Sequence, residues 1–204
     1  YKSPQPIPLE LLDNLNLQSI YLSGCNLSGV IPEEIGNLTS LTSLTLYNFY
    51  ETLLTGEIPE SISNLSKLSN LTLVNLDLSG GLPDALYNMS QLTSLEIDCC
   101  HIGGELSPDI CNLTQLQYLH LREADLSGQL PDNFASLMNT LEVCILMYNN
   151  LSGDIPESVK KHPKWRQFWT SIIDGNDFNV SVSDIPAPIF DHYDVWGNRI
   201  ISED

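Results

Sequence analysis

LSGVIPEEIGNLTSLTSLTL, residues 27–46, holds one complete structural unit. It ends in LTSLTL, where Leu44 and Leu46 stand two apart. That period sets both on one face of an extended strand and leaves Ser43 and Thr45 on the other. It begins with LSG, where Gly29 permits a tight backbone turn, and Pro32 fixes φ where no ladder donor is needed. Between them Ile35, Leu38 and Leu41 stand three apart, the spacing of one short helical or 3-10 face packed behind the strand.

Outward from this stretch the unit repeats. LSGVIP (27–32) returns as LTGEIP (54–59), LSGGLP (78–83), IGGELS (102–107), LSGQLP (126–131) and LSGDIP (151–156). The strand segments start at Leu17, Leu41, Leu68, Leu92, Leu116 and Leu141, spaced by 24, 27, 24, 24 and 25 residues. Ile7-Pro8 stands 24 residues before Ile31-Pro32 and marks an incomplete leading unit. Each strand is too short to stand alone, so neighbouring units must stack, pair in parallel and share one continuous leucine core. The expected fold is an α/β repeat solenoid, a right-handed horseshoe or superhelix. Its parallel sheet lies on the concave face and its short helical or 3-10 turns on the convex face. The array is expected over 1–160 as a partial unit plus six repeats, with a C-terminal cap and ordered tail over 161–204.

The LSGxIPxxIxxLxxL element resembles the plant-type leucine-rich repeats of receptor-kinase ectodomains and polygalacturonase-inhibitor proteins. Six copies over about 7–160 carry that resemblance. The closing stretch IPESVKKHPKWRQFW (155–169) is similar to the end of secreted leucine-rich-repeat proteins of gut Bacteroidetes. The resemblance implies a non-catalytic module that binds a protein, peptide or glycan outside the cytoplasm, with no cofactor and no metal. Two alternatives are an enzyme inhibitor of the polygalacturonase-inhibitor kind and a fragment of a plant receptor ectodomain. The capping segment with a Cys pair and Trp that opens plant ectodomains has no counterpart in 1–16, which favours the bacterial likeness.

The chain departs from its pattern in several places. The family's inward Asn slot holds Cys25, Leu76, Cys100, Ala124 and Asn149, with Phe49 nearest in repeat two. Backbone groups at those corners need other partners, and a less regular corner is expected. Repeat two is three residues longer than its neighbours. The extra length should project Phe49, Tyr50 and Glu51 as a rim loop, either for binding or folded back over a gap. Cys25 and Cys100 lie three repeats apart, beyond disulfide reach. Cys144 reads as an inward thiol, Cys111 as convex, and of Cys99 and Cys100 one should face out and one in. Eight Asn-x-Ser/Thr triplets mostly arise from the repeat phrases NLT, NLS and NMS.

Composition narrows the function further. Twenty-six acids against eight bases give −18, so no stripe of bases exists to neutralise phosphates, and nucleic acid is excluded as a partner. Lys160, Lys161, Lys164 and Arg166 cluster at the end of the array. No apolar run is long enough to span a membrane, residues 1–10 lack the form of a signal peptide, and a monomer is favoured.

In parallel stacking the outward strand residues form columns on the sheet. The binding candidates drawn from them are Tyr21, Tyr47, Asn48, Glu96, Asp98, Tyr118, His120, Arg122, Glu123, Met147 and Tyr148. Repeats one to three are small and hydroxylic around the two tyrosines, repeats four and five are charged, and repeat six is apolar. His120 with Glu96 and Asp98 allows an acid–base or metal reading; a polar patch pairing across strands with Arg122 is favoured, since no catalytic motif accompanies it. Val143, Ile145 and Met147 should be covered by the C-terminal tail or serve as an anchor. Trp165, Phe168, Trp169, Ile172 and Ile173 should build a helical cap, and a β-hairpin is expected around Trp196-Gly197-Asn198.

Overall fold

The structure, a computed structural model, describes residues 3–49 and 53–186 together with the strand pairs at 192–193 and 199–200. Six strands form one parallel sheet in chain order: Ser19–Ser23, Ser43–Tyr47, Asn70–Val74, Ser94–Asp98, Tyr118–His120 and Val143–Ile145. Register follows the repeat, with Ser19 opposite Ser43, Ser43 opposite Asn70, Asn70 opposite Ser94, Ser94 opposite Tyr118 and Tyr118 opposite Val143. The inward positions Leu44, Leu71, Leu95, Leu119 and Cys144 are all buried. They join a single core that runs from Ile7 to Ile172. A hydroxyl ladder runs beside it. Thr42, Ser69 and Thr93 each donate to the backbone carbonyl at the same position one repeat earlier, at 2.8, 3.1 and 3.0 Å.

Behind the sheet, each IPxxI segment makes a short turn. The 3-10 helices Glu33–Asn37, Glu60–Asn64, Asp84–Asn88 and Pro108–Asn112 serve repeats one to four, and α-helices Phe134–Met138 and Glu157–Lys160 follow. Ile35, Ile62, Leu86 and Ile110 point from them into the core. The leading partial unit is stacked too: the Ser28 N–H donates to the Gln5 carbonyl at 2.8 Å, and Ile7 is buried.

The LSG segments are not simple turns. Ser28–Val30, Leu53–Glu57 and Asp77–Ser79 form a second parallel sheet, and Ser127–Gln129, Asn150–Asp154 and Asp177–Asn179 form a third. Strands of three to five residues, most of them with a glycine, carry almost no apolar alternation, so a strand here leaves no periodic signal. The two flanking sheets are separated where Gly80-Gly81 stacks on Gly103-Gly104. A Cβ on Gly104 would come within 3.2 Å of the Gly81 Cα.

The corner slot is irregular, as expected, though not where Phe49 was placed. Asn48, one residue earlier, turns inward and is 3% exposed. Asn149 makes a full set of bonds: its Oδ1 accepts from the N–H groups of Ala124 and Leu126 at 3.1 and 3.0 Å. Its Nδ2 donates to the carbonyls of Leu121 and Leu146. In repeat four the Cys100 thiol takes the slot, donating to the Leu73 carbonyl at 3.2 Å. Cys25 is exposed, whereas Cys100, Cys111 and Cys144 are buried and Cys99 is half-buried; all five are free thiols.

The helix Trp165–Ile173 lies along the last strand of the long sheet and closes its edge. The Leu146 N–H donates to the Ser171 carbonyl at 2.7 Å, and Trp165, Phe168 and Ile172 are buried. Val143, Ile145 and Met147 stay half-buried beside it. Strands 192–193 and 199–200 pair antiparallel; the expected hairpin turn around 196–198 lies outside the described residues, as do Tyr50 and Glu51 of the inserted loop.

Candidate binding face

The outward columns of the long sheet assemble most of the expected side chains on one surface. Tyr21, 71% exposed, stands opposite Thr45, which stands opposite Thr72. Tyr47 and Phe49 meet edge to face, their ring centroids 4.7 Å apart. Phe49 also folds back over Gly24 of repeat one, whose added Cβ would meet the ring at 2.7 Å. Its ring is nevertheless exposed. Phe49 therefore covers a neighbouring gap and adds an aromatic edge to the face.

Repeats four and five hold the charged zone. The Arg122 guanidinium makes a two-point ion pair with Asp98, Nε to Oδ1 at 2.8 Å and Nη2 to Oδ2 at 3.2 Å. Glu123 lies 3.4 Å from its Nη1. The bond to Asp98 raises the arginine further above its ordinary value, so this cation is fixed rather than free to seek a ligand. Asp98 sits at the third outward position of its strand and Arg122 just past the next one, which is why the chain brings them together. Glu96 accepts from the Thr72 hydroxyl at 3.3 Å. Tyr118 donates to Glu142 at 2.9 Å, and that bond raises its phenol above the ordinary value. Glu142 was absent from the candidate set because it precedes the strand alternation.

His120 is placed between two carboxylates, its Nδ1 3.7 Å from Glu96 and its Nε2 3.9 Å from Asp98. Neither distance is a hydrogen bond, and among the described residues the buried Nε2 has no partner. Among the same residues no three acidic, histidine or cysteine side chains converge to hold a metal. The Cys99 thiol, held by burial and by Asp98 and Glu123, is pushed up to about 11 and stays protonated.

One candidate does not belong to the face. Asn48 was expected to stand outward in a fourth column with Glu123 and Tyr148, but it is buried. The column fails because the chain leaves the sheet there: Asn75, Cys99, Glu123 and Tyr148 adopt φ values of 58°, 52°, 49° and 58°. That left-handed bend swings each residue around the corner, and Asn48 in repeat two does not share it. Glu123 and Tyr148 remain at the rim; Met147 is half-buried.

With this geometry in place, the likeness to known proteins is direct. The family described as Leucine Rich Repeat matches residues 16–38, 91–113 and 115–137. The chain is built of leucine-rich repeats. Among solved structures it is similar to the ectodomain of the receptor kinase GASSHO1/SCHENGEN3 from Arabidopsis thaliana, in complex with Casparian strip integrity factor 2. That match has 35% identity and a TM-score of 0.66 over 74% of this chain and 18% of that one. It is similar to the Arabidopsis receptor kinase HAESA ectodomain with the IDA peptide hormone, at 29% identity and TM-score 0.68, over 76% and 26%. It also resembles the Arabidopsis thaliana BIR2 ectodomain at 31% identity and TM-score 0.54, over 61% and 63%. The chain thus spans about a fifth of the first ectodomain and less than two thirds of each. A sequence search of curated proteins finds no match. Among the described residues no helix is long and apolar enough to cross a membrane.

Proposed function

We propose that this chain is a non-catalytic recognition module that binds a peptide or protein along its concave sheet, outside the cytoplasm. The observation that carries the reading is the face itself. A rigid sheet in strict register presents an aromatic edge (Tyr21, Tyr47, Phe49), a charged centre (Glu96, Asp98, His120, Arg122) and an apolar end. Such a zoned surface suits an extended partner laid across the strands. The HAESA ectodomain is in complex with a peptide hormone ligand in one of the similar structures, which supports a peptide over a glycan. Residues 1–160 are the binding array in this reading, and 161–204 its cap and tail. The finer likeness to secreted leucine-rich-repeat proteins of gut Bacteroidetes rests on the HPKW closing stretch and the unpaired thiols.

The test is capture of a partner from the native source on the immobilised chain, with single variants Tyr47→Ala, Asp98→Ala and Arg122→Ala. Each should lower retention of the same partner, while Asn64→Ala on the convex side should not. Retention unchanged in all three variants would move the site off the concave face.

A further inference from the structure

The charged centre of the concave face lacks one hydrogen-bond donor. His120 stands opposite Glu96 on one neighbouring strand and opposite Ile145 on the other. Its Nδ1 is 3.7 Å from Glu96 Oε1 and its Nε2 3.9 Å from Asp98 Oδ1, so each ring nitrogen faces a carboxylate. A neutral imidazole carries a proton on one nitrogen and a lone pair on the other. In either tautomer, therefore, a lone pair is turned toward a carboxylate oxygen. Nε2 is shut off from solvent and, among the described residues, has no partner. The side chain as a whole is 25% exposed, which leaves the ring open to proton exchange with solvent.

The neighbouring charges are already engaged. Asp98 Oδ1 also accepts from Arg122 Nε at 2.8 Å, and Glu123 lies 3.4 Å from the same guanidinium. The Cys99 thiol beside Asp98 stays protonated. One strand further on, Thr72 donates to Glu96 at 3.3 Å. On the other side the strand Val143–Ile145 brings no charge to the ring, and Glu142 just before it takes the Tyr118 hydroxyl. Four carboxylates, Glu96, Asp98, Glu123 and Glu142, thus stand against the one guanidinium of Arg122 in this zone. A second proton on His120 turns an N–H toward each of Glu96 and Asp98, and sets a cation where a lone pair otherwise opposes an anion. Imidazole is the side-chain type whose charge changes between about pH 5 and pH 8.

We propose that His120 is a proton switch of the concave face: on mild acidification it becomes a cation shared by Glu96 and Asp98, and the face presents one negative charge fewer. The switch stands on this cluster alone; its bearing on a partner rests on the concave face being the binding surface. It is tested without a partner, by NMR on the intact isotope-labelled chain titrated from about pH 8 to about pH 5.5. Both His120 ring nitrogens should reach the protonated form, and the carboxyl carbons of Glu96 and Asp98 and the Arg122 Nε–H signal should shift with the same midpoint. A ring that titrates while those three signals stay still would overturn the switch, as would a ring that stays neutral to the end of the titration. Charge on the face is then read with two small nitroxide probes, a cationic aminomethyl-PROXYL and an anionic carboxy-PROXYL. The ratio of cationic to anionic relaxation enhancement at the backbone protons of residues 118–122 should fall about two-fold between the two pH limits, and stay nearly level in H120Q. An equal fall in H120Q would assign the change to other groups and refute the proposal, and the titration of the unaltered chain decides the matter even where H120Q folds poorly. Coupled shifts in a chain that retains no partner at either pH would refute concave binding and leave the switch in place.

Discussion

Asn149 and Asn176 donate to one and the same carbonyl, that of Leu146, at 2.9 and 2.8 Å. They hold equivalent places in consecutive turns of the solenoid. Asn149 Oδ1 takes the N–H groups of Ala124 and Leu126, and Asn176 Oδ1 takes that of Leu151 at 3.1 Å. The last two turns are therefore tied through side-chain amides, where earlier turns use Cys100, Ala124 or Leu76. Asn149→Leu should cost roughly 3 kcal/mol, since it strips several buried backbone groups at about 1–3 kcal/mol for each left unsatisfied. Urea unfolding measures it. A cost below about 1 kcal/mol would show that water replaces the amide.

The ion pair between Asp98 and Arg122 makes a second prediction. Asp98 is only 13% exposed in its side chain, so Arg122→Ala leaves a half-buried carboxylate without its cation. We expect about 1–3 kcal/mol of destabilisation from either single substitution to Ala. Asp98→Ala/Arg122→Ala should cost less than the sum, by about 1 kcal/mol or more. Additive losses in denaturant titrations would mean that the pair contributes nothing beyond its separate contacts.

Two glycines of like backbone separate conformational strain from crowding. Gly175 and Gly103 share φ +68°, but a Cβ on Gly175 would lie 2.9 Å from the Tyr148 backbone, whereas nothing lies within 4 Å of one on Gly103. Both Ala variants pay the left-handed conformation, about 1 kcal/mol. Only Gly175→Ala adds a collision with main chain that cannot swing aside, so its midpoint in urea should fall further than that of Gly103→Ala. Equal midpoints would show that the segment after the capping helix yields freely.

How far the residues themselves disclosed this arrangement differs from place to place. Leu44, Leu71, Leu95 and Leu119 recur at fixed spacing on a period of two, which is enough to set both sheet and register. The pairing of Asp98 with Arg122 follows from that register, because columns place them side by side. The flanking strands did not show, since Ser28-Gly29-Val30 has neither length nor alternation. Asn48 turns inward because it lacks the left-handed bend of its counterparts, and nothing local in the sequence distinguishes an inward Asn there from an outward one. Phe49 offered two readings that only the position of Gly24 could separate.

Acid should loosen the C-terminal end first. The bond from Lys160, joined by Ser181, lowers Asp184 from 3.8 to about 2, and Lys160 likewise lowers Glu157. A depressed carboxylate contributes stability that is fully present above its unfolded value and is lost as pH falls through its folded one. The melting temperature should therefore decline between about pH 4 and pH 2. Asp184→Asn should lower it at neutral pH and flatten that decline, as followed by calorimetry. An unchanged slope in the variant would remove this clamp from the acid response.

Thiol chemistry tests the inward and outward assignments at once. Cys25 is exposed, so Ellman's reagent should modify it rapidly in the native protein. Cys99 is half-buried and pushed up to about 11, chiefly by desolvation and then by Asp98, which leaves little thiolate at pH 8. Since the thiolate is the nucleophile, it should react far more slowly than Cys25. Burial lifts Cys100 to about 12 and Cys111 to about 11 and raises Cys144 as well, and these three should react only when the solenoid opens. One fast thiol in buffer and five in denaturant is the expected count. Two fast thiols, with Cys99 the second by mass mapping, would mean that the corner of repeat four opens to solvent far more readily than its packing implies.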